Sequence, residues 1–331
     1  MINNEEYLVE VRSLKKYFPM DDYKLKKASI RYLHAVDNVT FNIKRGEIFG
    51  IIGESGSGKS TIGRCILRLI EADSGDVYFD NKNLYRLTPN EMKVYRRDMQ
   101  VIFQNPFSSF NPKMTIGQGY KELGHVYKMH DYELDAKVKE LLGYINLPGD
   151  VLLRYPKELS GGQLQRLAIA RALILNPKFI LADEPVSALD VSVQAQILNL
   201  MLDLKEKFSQ TMLFISHDLT VVRHVCNTIA VVYLGVIVEM GDAKDVYKNV
   251  AHPYTQALIS ARPKEHPDEE RERILLKGEV PSAIDVPDRC RFYNRCSRAH
   301  GSLCEFKTPR LREISPGHYV ACHYPLGVDE E

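Results

Sequence analysis

The sequence predicts an α/β protein built on a parallel sheet, followed by a small cysteine-rich extension. Three observations support this prediction: a glycine-rich octet set between an apolar run and a helical pattern, short apolar runs that alternate with helical patterns, and four cysteines close together after residue 289. Parallel strands are covered by helices on both faces, so they read as continuous apolar runs, and their alternation with helical patterns is typical of α/β folds.

The octet GESGSGKS at residues 53–60 fits the P-loop pattern G-x-x-x-x-G-K-[ST]. The apolar run 48–52 precedes it, and residues 60–70 predict the helix that follows. Glycines let backbone N–H groups turn inward around phosphate oxygens, at a helix N-terminus that favours anions. We expect Lys59 to reach the β- and γ-phosphates of a nucleotide, and the Ser60 hydroxyl to ligate Mg²⁺.

The remaining elements follow in chain order. Residues 7–18 and 30–52 predict strands, and residues 73–82 predict a turn, a short strand and a hairpin end. Between about 105 and 175 the pattern becomes helical, with Asp131 as a candidate N-cap before apolar residues at helical spacing: Leu134, Val138, Leu141, Leu142 and Ile145. FILAD (179–183) and TMLFIS (211–216) predict buried parallel strands on either side of a helix at about 192–208.

Length and charge limit the classes of protein. The 331 residues suit a domain over 1–260 and an extension over 261–331, joined through the charged stretch 263–273. The 44 basic and 43 acidic side chains give a net charge of +1, without the basic excess of nucleic-acid binders. The acidic, polar start predicts no secretory signal, and the apolar run 229–238 predicts two short strands around Gly235. We therefore expect a cytoplasmic protein that reaches a membrane through a partner.

The cysteines fall into two groups. Cys65 and Cys226 stand alone in apolar surroundings and are expected to be buried. The other four have the spacing C-x5-C-x7-C-x17-C, which in a cytosolic chain indicates a metal site: Cys290, Cys296, Cys304 and Cys322. Four thiolates can hold a [4Fe–4S] cluster or Zn²⁺, and the long spacings favour the cluster. The alternatives are zinc with a histidine ligand, from His300, His318 or His323, and thiols without a metal.

Four further motifs occur in a fixed order. They are VIFQNP, which contains Gln104, then LSGGQ at 159–163, FILADEP at 179–185 and FISHD, which contains His217. With these motifs and the octet, residues 7–260 resemble the ATP-binding subunits of ATP-binding-cassette (ABC) transporters. The resemblance implies the ABC-type nucleotide-binding domain of the P-loop NTPases, with a helical subdomain at about 105–175.

The resemblance also implies a role for each motif. Gln104 would touch Mg²⁺ and the attacking water, Asp183 would hold the metal, Glu184 would act as the general base, and His217 would be the switch histidine. Phe18, or alternatively Tyr17, would stack on adenine. The other nucleotide-contacting residues are those of the Walker A loop, the LSGGQ signature and the D-loop: Gly53, Ser55, Gly56, Ser57, Gly58, Lys59, Ser60 and Thr61; Ser160, Gly161, Gly162 and Gln163; and Asp190.

In this family ATP lies between the Walker A loop of one subunit and the signature of another. The resemblance therefore implies a second ATPase subunit, in a homodimer or a heterodimer. QNPFSSFNPKMTIG after Gln104, HPYTQALISARP at 252–263 and the four cysteines are similar to the importers of dipeptides, oligopeptides and nickel. That branch implies two membrane permease subunits and an extracytoplasmic substrate-binding protein.

The expected function is thus ATP hydrolysis that powers import of di- or oligopeptides, with nickel or short oligosaccharides as alternative substrates. A soluble ABC protein of translation or DNA repair would be expected to carry two cassettes or a long coiled-coil insertion. The chain shows one cassette and no long heptad run. An exporter ATPase would often be fused to membrane helices, and the sequence contains no such apolar segment.

Overall fold

The computed structural model describes residues 6–20, 31–261 and 273–328 of the chain. These residues divide into two compact units. The first is formed by Met1–Ile43, Ile48–Tyr85 and Ser216–Glu331, and the second by Lys44–Glu47 and Arg86–Ile215. The predicted charged linker at 263–273 lies outside the described residues apart from Arg273, and the predicted domain boundary near residue 260 stays a prediction.

The strands, in chain order, are β1 (Tyr7–Met20), β2 (Arg31–Lys44), β3 (Ile48–Ile52), β4 (Ser74–Phe79), β5 (Lys82–Asn83), β6 (Met99–Ile102), β7 (Phe179–Asp183), β8 (Thr211–Ser216), β9 (Thr228–Tyr233), β10 (Val236–Asp242), β11 (Arg312–Ser315) and β12 (His318–Val320). The α-helices are α1 (Lys59–Ile66), α2 (Pro89–Asp98), α3 (Ile116–Val126), α4 (Asp131–Tyr144), α5 (Gly161–Leu173), α6 (Val191–Phe208), α7 (Leu219–Val225), α8 (Ala243–Lys248), α9 (Pro253–Ser260) and α10 (Gly301–Phe306). None of these helices has the length and apolar character that crossing a bilayer demands.

The first unit contains an antiparallel sheet in the order β2-β1-β4-β5. Its pairing places Val9 opposite Phe79 and Val11 opposite Val77, and all four side chains are buried. The strands predicted over 7–18 and 30–52 are confirmed as β1, β2 and β3. The sequence did not predict that the first two belong to a separate antiparallel sheet.

The first unit also contains β3, whose five residues are all buried. It pairs in parallel with β9, so that Ile51 lies opposite Ala230. The two predicted strands around Gly235 are confirmed as β9 and β10, which pair antiparallel. The strand β12 pairs with β10, so that Tyr319 lies opposite Met240, and β11 pairs with β12. Strands of the predicted extension therefore continue the sheet that carries the glycine-rich octet.

The second unit is built on the parallel strands β6, β7 and β8, with Ile102 opposite Ala182 and Asp183 opposite Ile215. The strands predicted at 179–183 and 211–216 are confirmed with those bounds. The predicted helical region contains α3, α4 and α5, and α4 buries Leu134, Val138, Leu141 and Leu142. The assignment of Asp131 as N-cap was wrong by one residue. His130 is the N-cap, and Asp131 begins the first turn, where a carboxylate complements the helix dipole.

Candidate functional site

The glycine-rich octet forms the turn between β3 and α1. Gly58 has a φ of +102°, and a Cβ at this position would lie 2.0 Å from the carbonyl oxygen of Ala35. A Cβ on Gly53 would likewise lie 2.2 Å from the carbonyl oxygen of Val232. Only glycine fits at these two positions, because both the backbone conformation and the neighbouring backbone exclude a side chain. Ser55 and Gly56, at the tip of the turn, are exposed.

Lys59 is almost fully buried in this turn. Its Nζ donates to the carbonyl oxygens of Gly53 and Glu54, at 2.9 Å each. Ser60 and Thr61 follow in the first turn of α1 and are partly exposed. The Lys59 ammonium group therefore lies where phosphate oxygens could replace these two backbone oxygens as its hydrogen-bond acceptors.

Phe18 and Tyr17, the two candidates for the adenine contact, lie in β1 and differ in their surroundings. Tyr17 stacks on His34 with ring centroids 4.1 Å apart, and its hydroxyl donates to Asp37 at 2.6 Å. Phe18 is partly exposed, and Lys16 Nζ lies 5.3 Å from its ring centroid. Because the Tyr17 ring is held by protein groups, these contacts favour Phe18 as the aromatic that stacks on a base.

In the second unit, Gln104 and Glu184 are in direct contact. Gln104 Nε2 donates to Glu184 Oε2 at 3.1 Å and to Ser187 Oγ at 3.2 Å. Gln104 is about 80 positions from the other two residues in the chain, and the parallel pairing of β6 with β7 brings it to the same sheet edge. Ser187 was not among the predicted site residues, because an isolated serine after the acidic pair carries no sequence signal.

The backbone of Glu184 is strained. Its φ is +48°, in the left-handed region that non-glycine residues rarely occupy. Hydrogen bonds on both sides of the residue hold this conformation: its N–H donates to Ile215 O at 3.0 Å, and Ser187 Oγ donates to its carbonyl oxygen at 3.1 Å. Strain of this kind concentrates at functional sites, where the surrounding structure stabilises it.

Three other predicted site residues lie at strand or helix ends: Asp183 as a Mg²⁺ ligand, Asp190 as a nucleotide contact and His217 as a catalytic residue. Asp183 is buried at the end of β7, directly before Glu184. Asp190 is exposed and is the N-cap residue of α6. In the first unit, His217 is exposed directly after β8 and directly before Asp218, whose side chain accepts from Thr220 N at 2.8 Å at the start of α7.

The signature residues form the N-terminus of α5. Ser160 is exposed and is the N-cap residue, and Gly161 is exposed beside it. Gln163 N donates to Ser160 Oγ at 3.3 Å, and Ser160 N donates to Gln163 Oε1 at 3.0 Å. This capping box holds Ser160, Gly161, Gly162 and Gln163 in one rigid turn, with amide groups of a helix N-terminus presented outward.

The four cysteines of the extension converge in the first unit. They line one cavity, which we call the four-cysteine pocket, with neighbours that include His252, Phe292, Tyr324 and His323. Cys290 N also donates to Cys304 O at 3.1 Å. Burial, with a smaller contribution from the neighbouring cysteines, raises the pKa of the Cys290 thiol to about 12 and that of the Cys322 thiol to about 11. Cys65 and Cys226, which were predicted to be buried, are buried.

The three histidines proposed as zinc ligands have different positions. His318 is buried against Glu239, with Nε2 2.9 Å from Oε1. His323 lines the pocket, and its Nε2 lies 2.8 Å from Lys307 O. His300 packs edge-on against Tyr324. Among the described residues, no set of three or more His, Cys, Asp or Glu side chains is arranged to hold a metal ion.

Comparison with known proteins agrees with this geometry. The profile of the family described as "ABC transporter" matches residues 36–187, and that of "Oligopeptide/dipeptide transporter, C-terminal region" matches residues 238–304. A putative peptide import ATP-binding protein of Brucella ovis is 47% identical over 96% of this chain and 98% of its own. The oligopeptide transport ATP-binding protein AppF of Bacillus subtilis is 46% identical over 97% of this chain and 98% of its own.

Among solved structures, the chain is similar to the dimeric, post-hydrolysis structure of the ATP-binding cassette MJ0796 bound to ADP and Pi. The TM-score is 0.62, the identity is 34%, and the match covers 71% of this chain and 98% of that one. The chain belongs to the family of ABC transporter ATP-binding subunits. It is therefore an ATPase with the ABC-type P-loop fold, as predicted.

One ion pair at the Walker A loop, between Arg295 and Glu54, was not predicted from the sequence. Glu54 occupies an unspecified position of the P-loop pattern, and Arg295 stands between two cysteines, so neither position attracts notice. In the structure, Arg295 donates two hydrogen bonds to the Glu54 carboxylate. The available signal was weak: the acidic Glu54 lies in the predicted phosphate-binding loop, and the basic Arg295 lies in the predicted metal-binding segment.

Proposed function

We propose that the chain is the ATP-hydrolysing subunit of an importer for di- or oligopeptides. The observation that carries this proposal is the match of residues 238–304 to the oligopeptide/dipeptide transporter C-terminal region. Full-length relatives named as peptide import and oligopeptide transport proteins support it. Nickel or short oligosaccharides remain the alternative substrates within this branch.

The site residues divide the chemistry of phosphoryl transfer between them. Lys59 and the amides of the Walker A loop would hold the β- and γ-phosphates, and Ser60, Asp183 and Gln104 would hold Mg²⁺. Bound there, Mg²⁺ would supply positive charge beside the phosphate oxygens on which negative charge develops. Glu184 accepts the proton of the attacking water, in an orientation supported by its contact with Gln104. His217 contributes at the γ-phosphate.

We propose that the LSGGQ signature of this chain contacts the nucleotide that is bound by a second subunit. Ser160 and Gly161 are exposed at a helix N-terminus, which is a surface that suits the γ-phosphate of ATP held by a partner. The dimeric state of the similar cassette MJ0796 supports this assignment. ATP would then join two ATPase subunits, identical or different, and hydrolysis would separate them.

Coupling to transport requires partners in the membrane. We propose that two permease subunits bind the chain on the cytoplasmic face of the membrane, and that an extracytoplasmic protein delivers the substrate. Gln104 joins the segment before the helical region to Glu184, so a permease that moves this region would also move the catalytic carboxylate.

Reconstitution of the complex tests this function. The chain, its two permeases and a sister ATPase would be placed in vesicles with the substrate-binding protein. We expect ATP hydrolysis to be stimulated by the binding protein loaded with di- or oligopeptides. If only nickel or only oligosaccharides stimulate hydrolysis, that compound and not a peptide is the substrate. Failure of the chain to associate with any permease would favour a soluble ABC ATPase.

For the four-cysteine pocket we propose a [4Fe–4S] cluster. Convergence of four thiols on one cavity supports a thiolate-bound group. The long spacings between the four cysteines in the sequence favour a cluster over zinc, because zinc sites usually contain closely spaced cysteine pairs. When bound, the cluster would add its binding energy to folding.

Anaerobic purification of the full chain tests this assignment, with iron, sulfide and zinc measured beside a visible spectrum. A cluster predicts about four irons and four sulfides per chain. One zinc per chain without iron would show that the pocket is a zinc site, for which His323 in the pocket lining is a candidate ligand. Absence of all metals after anaerobic preparation would overturn the metal assignment.

A further inference from the structure

The segment Cys290–Cys296, which we call the arginine segment, touches two sites at once. Its two cysteines line the four-cysteine pocket, and Arg291 and Arg295 lie between them in the sequence. Both arginines are nearly buried, with side-chain exposures of 8% and 7%. Buried arginines are found where a specific acidic partner compensates their charge, so the partners of these two residues indicate what the segment does.

Arg295 pairs with Glu54, the second residue of the Walker A octet. Nη1 donates to Oε2 at 2.7 Å and Nη2 donates to Oε1 at 3.0 Å, in a parallel two-bond geometry. The Glu54 carboxylate raises the pKa of Arg295 above its ordinary value. Glu54 is also a loop residue whose carbonyl oxygen accepts from Lys59 Nζ. The pair therefore fixes the same residue that positions the phosphate-binding lysine.

Phe292 reinforces this link with aromatic contacts. Its ring lies 5.4 Å from that of Tyr254 and edge-on to Tyr233 at 5.3 Å. The Tyr254 hydroxyl accepts a hydrogen bond from Glu54 N at 2.9 Å. Both the side chain and the backbone of Glu54 are thus held by the arginine segment or by residues packed on it.

Arg291 reaches the base of the same loop. It donates to the carbonyl oxygen of Leu234 and to Asp37, which also accepts from the Tyr17 hydroxyl. The next residue after Leu234 is Gly235, whose N–H donates to Ser57 O at 2.9 Å. The arginine segment therefore contacts the turn that supports the Walker A loop at Ser57, in addition to Glu54.

The charge of Glu54 has a consequence for nucleotide binding. Its carboxylate belongs to the loop that receives the triphosphate, and an uncompensated negative charge at this place would repel the phosphates. Arg295 removes that repulsion by direct neutralisation. A positive charge supplied by a residue of the extension would thus be needed for a loop in the ATPase core to bind ATP tightly.

We propose that Arg295 is a positioning residue that couples the four-cysteine pocket to ATP affinity, by holding and neutralising Glu54. The effect of the pocket rests on the proposed metal-binding function, because a group bound by Cys290 and Cys296 would fix the ends of the arginine segment. The effect of Arg295 on Glu54 stands without it. By linkage, nucleotide bound at the loop would in turn slow the loss of the bound group.

The test measures the Kd of the full-length chain for a fluorescent N-methylanthraniloyl derivative of ATP, together with iron content. Arg295→Met should raise the Kd about tenfold, since one negative charge near the phosphates is left uncompensated. Arg295→Lys should recover part of the affinity, because it restores the charge without the two-bond geometry. Arg312→Met, which removes an exposed arginine of β11, should bind as the native chain does.

A double substitution separates lost charge compensation from a damaged fold. Glu54→Gln should bind the nucleotide more tightly than the native chain, and Arg295→Met combined with Glu54→Gln should return the Kd close to the native value. An unchanged Kd in Arg295→Met would overturn the proposal. A double variant as weak as Arg295→Met alone would also overturn it, because the loss would then come from the fold.

Cys322→Ser tests the link to the pocket. We expect it to lose iron and to raise the Kd, and added Glu54→Gln should remove most of that rise. Loss of iron with a native Kd would overturn the coupling. If the native chain itself contains no metal, the proposed cluster fails, and the Arg295 and Glu54 variants still decide the charge effect.

Discussion

Gln104 Nε2 donates a hydrogen bond to the Glu184 carboxylate at 3.1 Å, and the same amide donates to Ser187 Oγ. The proposed general base is therefore held by a side chain from the segment that leads into the helical region. The strained backbone of Glu184 makes this contact more informative, because a left-handed non-glycine residue keeps its conformation only where neighbours fix it.

Glu184→Gln should retain ATP binding and lower turnover at least about 100-fold, because the amide cannot accept the proton of the attacking water. ATP would then hold two chains together, and size-exclusion chromatography with ATP should show a dimer. Glu206→Gln, on the exposed surface of α6, serves as the control. Native turnover in Glu184→Gln would show that another group is the base.

Gln104→Ala should lower kcat about tenfold and leave the Kd for ATP near its native value. The loss corresponds to about 1.5 kcal/mol for a hydrogen bond to a charged group. Steady-state hydrolysis and nucleotide titration separate the two constants, with exposed Gln256→Ala of α9 as the matched control. A change confined to the Kd would mean that Gln104 acts in binding instead of in orienting Glu184.

Lys59→Ala should weaken nucleotide binding itself by about 2 kcal/mol, since charge-assisted hydrogen bonds to the phosphates are lost. The measurement is the Kd for ATP, and Lys82→Ala, an exposed lysine of β5, removes the same charge elsewhere. If both variants bind ATP equally well, the octet is not the phosphate site.

Ser160→Asp separates capping from catalysis. Aspartate is as good an N-cap as serine, so the thermal unfolding midpoint should be kept. Its carboxylate would face the γ-phosphate held by a second subunit, and hydrolysis should fall about tenfold or more. Ser160→Asn introduces a neutral N-cap with the shape of aspartate, and this variant should lose much less activity than Ser160→Asp. Equal activity of both variants would argue against a γ-phosphate contact.

Burial lowers the pKa of His252 to about 3 from an ordinary value of 6.5. The unfolded chain therefore takes up the proton first as the pH falls below about 6.5, and stability decreases with it. The expected loss at pH 5 is about 2 kcal/mol. His252→Asn keeps an acceptor for Tyr254 N and should show a flatter fall of the unfolding midpoint between pH 7 and 5. Parallel curves would contradict this.

The sequence predicted features whose cause is local. The octet, the buried strands at 179–183 and 211–216 and the turn at Gly235 each have a pattern within a few residues, and the structure places them as predicted. The isolated cysteines Cys65 and Cys226 were predicted to be buried from their apolar neighbours alone, and they are.

The features that escaped prediction depend on contacts between distant residues. Arg295 and Glu54 are separated by 241 positions, and no local pattern joins them. The strands β11 and β12 are short and carry little apolar alternation, so the pairing of β12 with β10 and of β11 with β12 depends on the strand that each one meets. The left-handed backbone of Glu184 likewise follows from its bonds to Ile215 and Ser187.

The pairing of β12 with β10 also bears on how the chain tolerates shortening. Ala321 N donates to Val238 O, so β10 has a neighbour along this side only while the end of the chain is present. A protease cut or an early stop codon near residue 261 would uncover that edge, with unpaired amides beside apolar side chains. Open edges of this kind recruit other strands. Such fragments should therefore be insoluble, even though every ATP-binding motif would be intact.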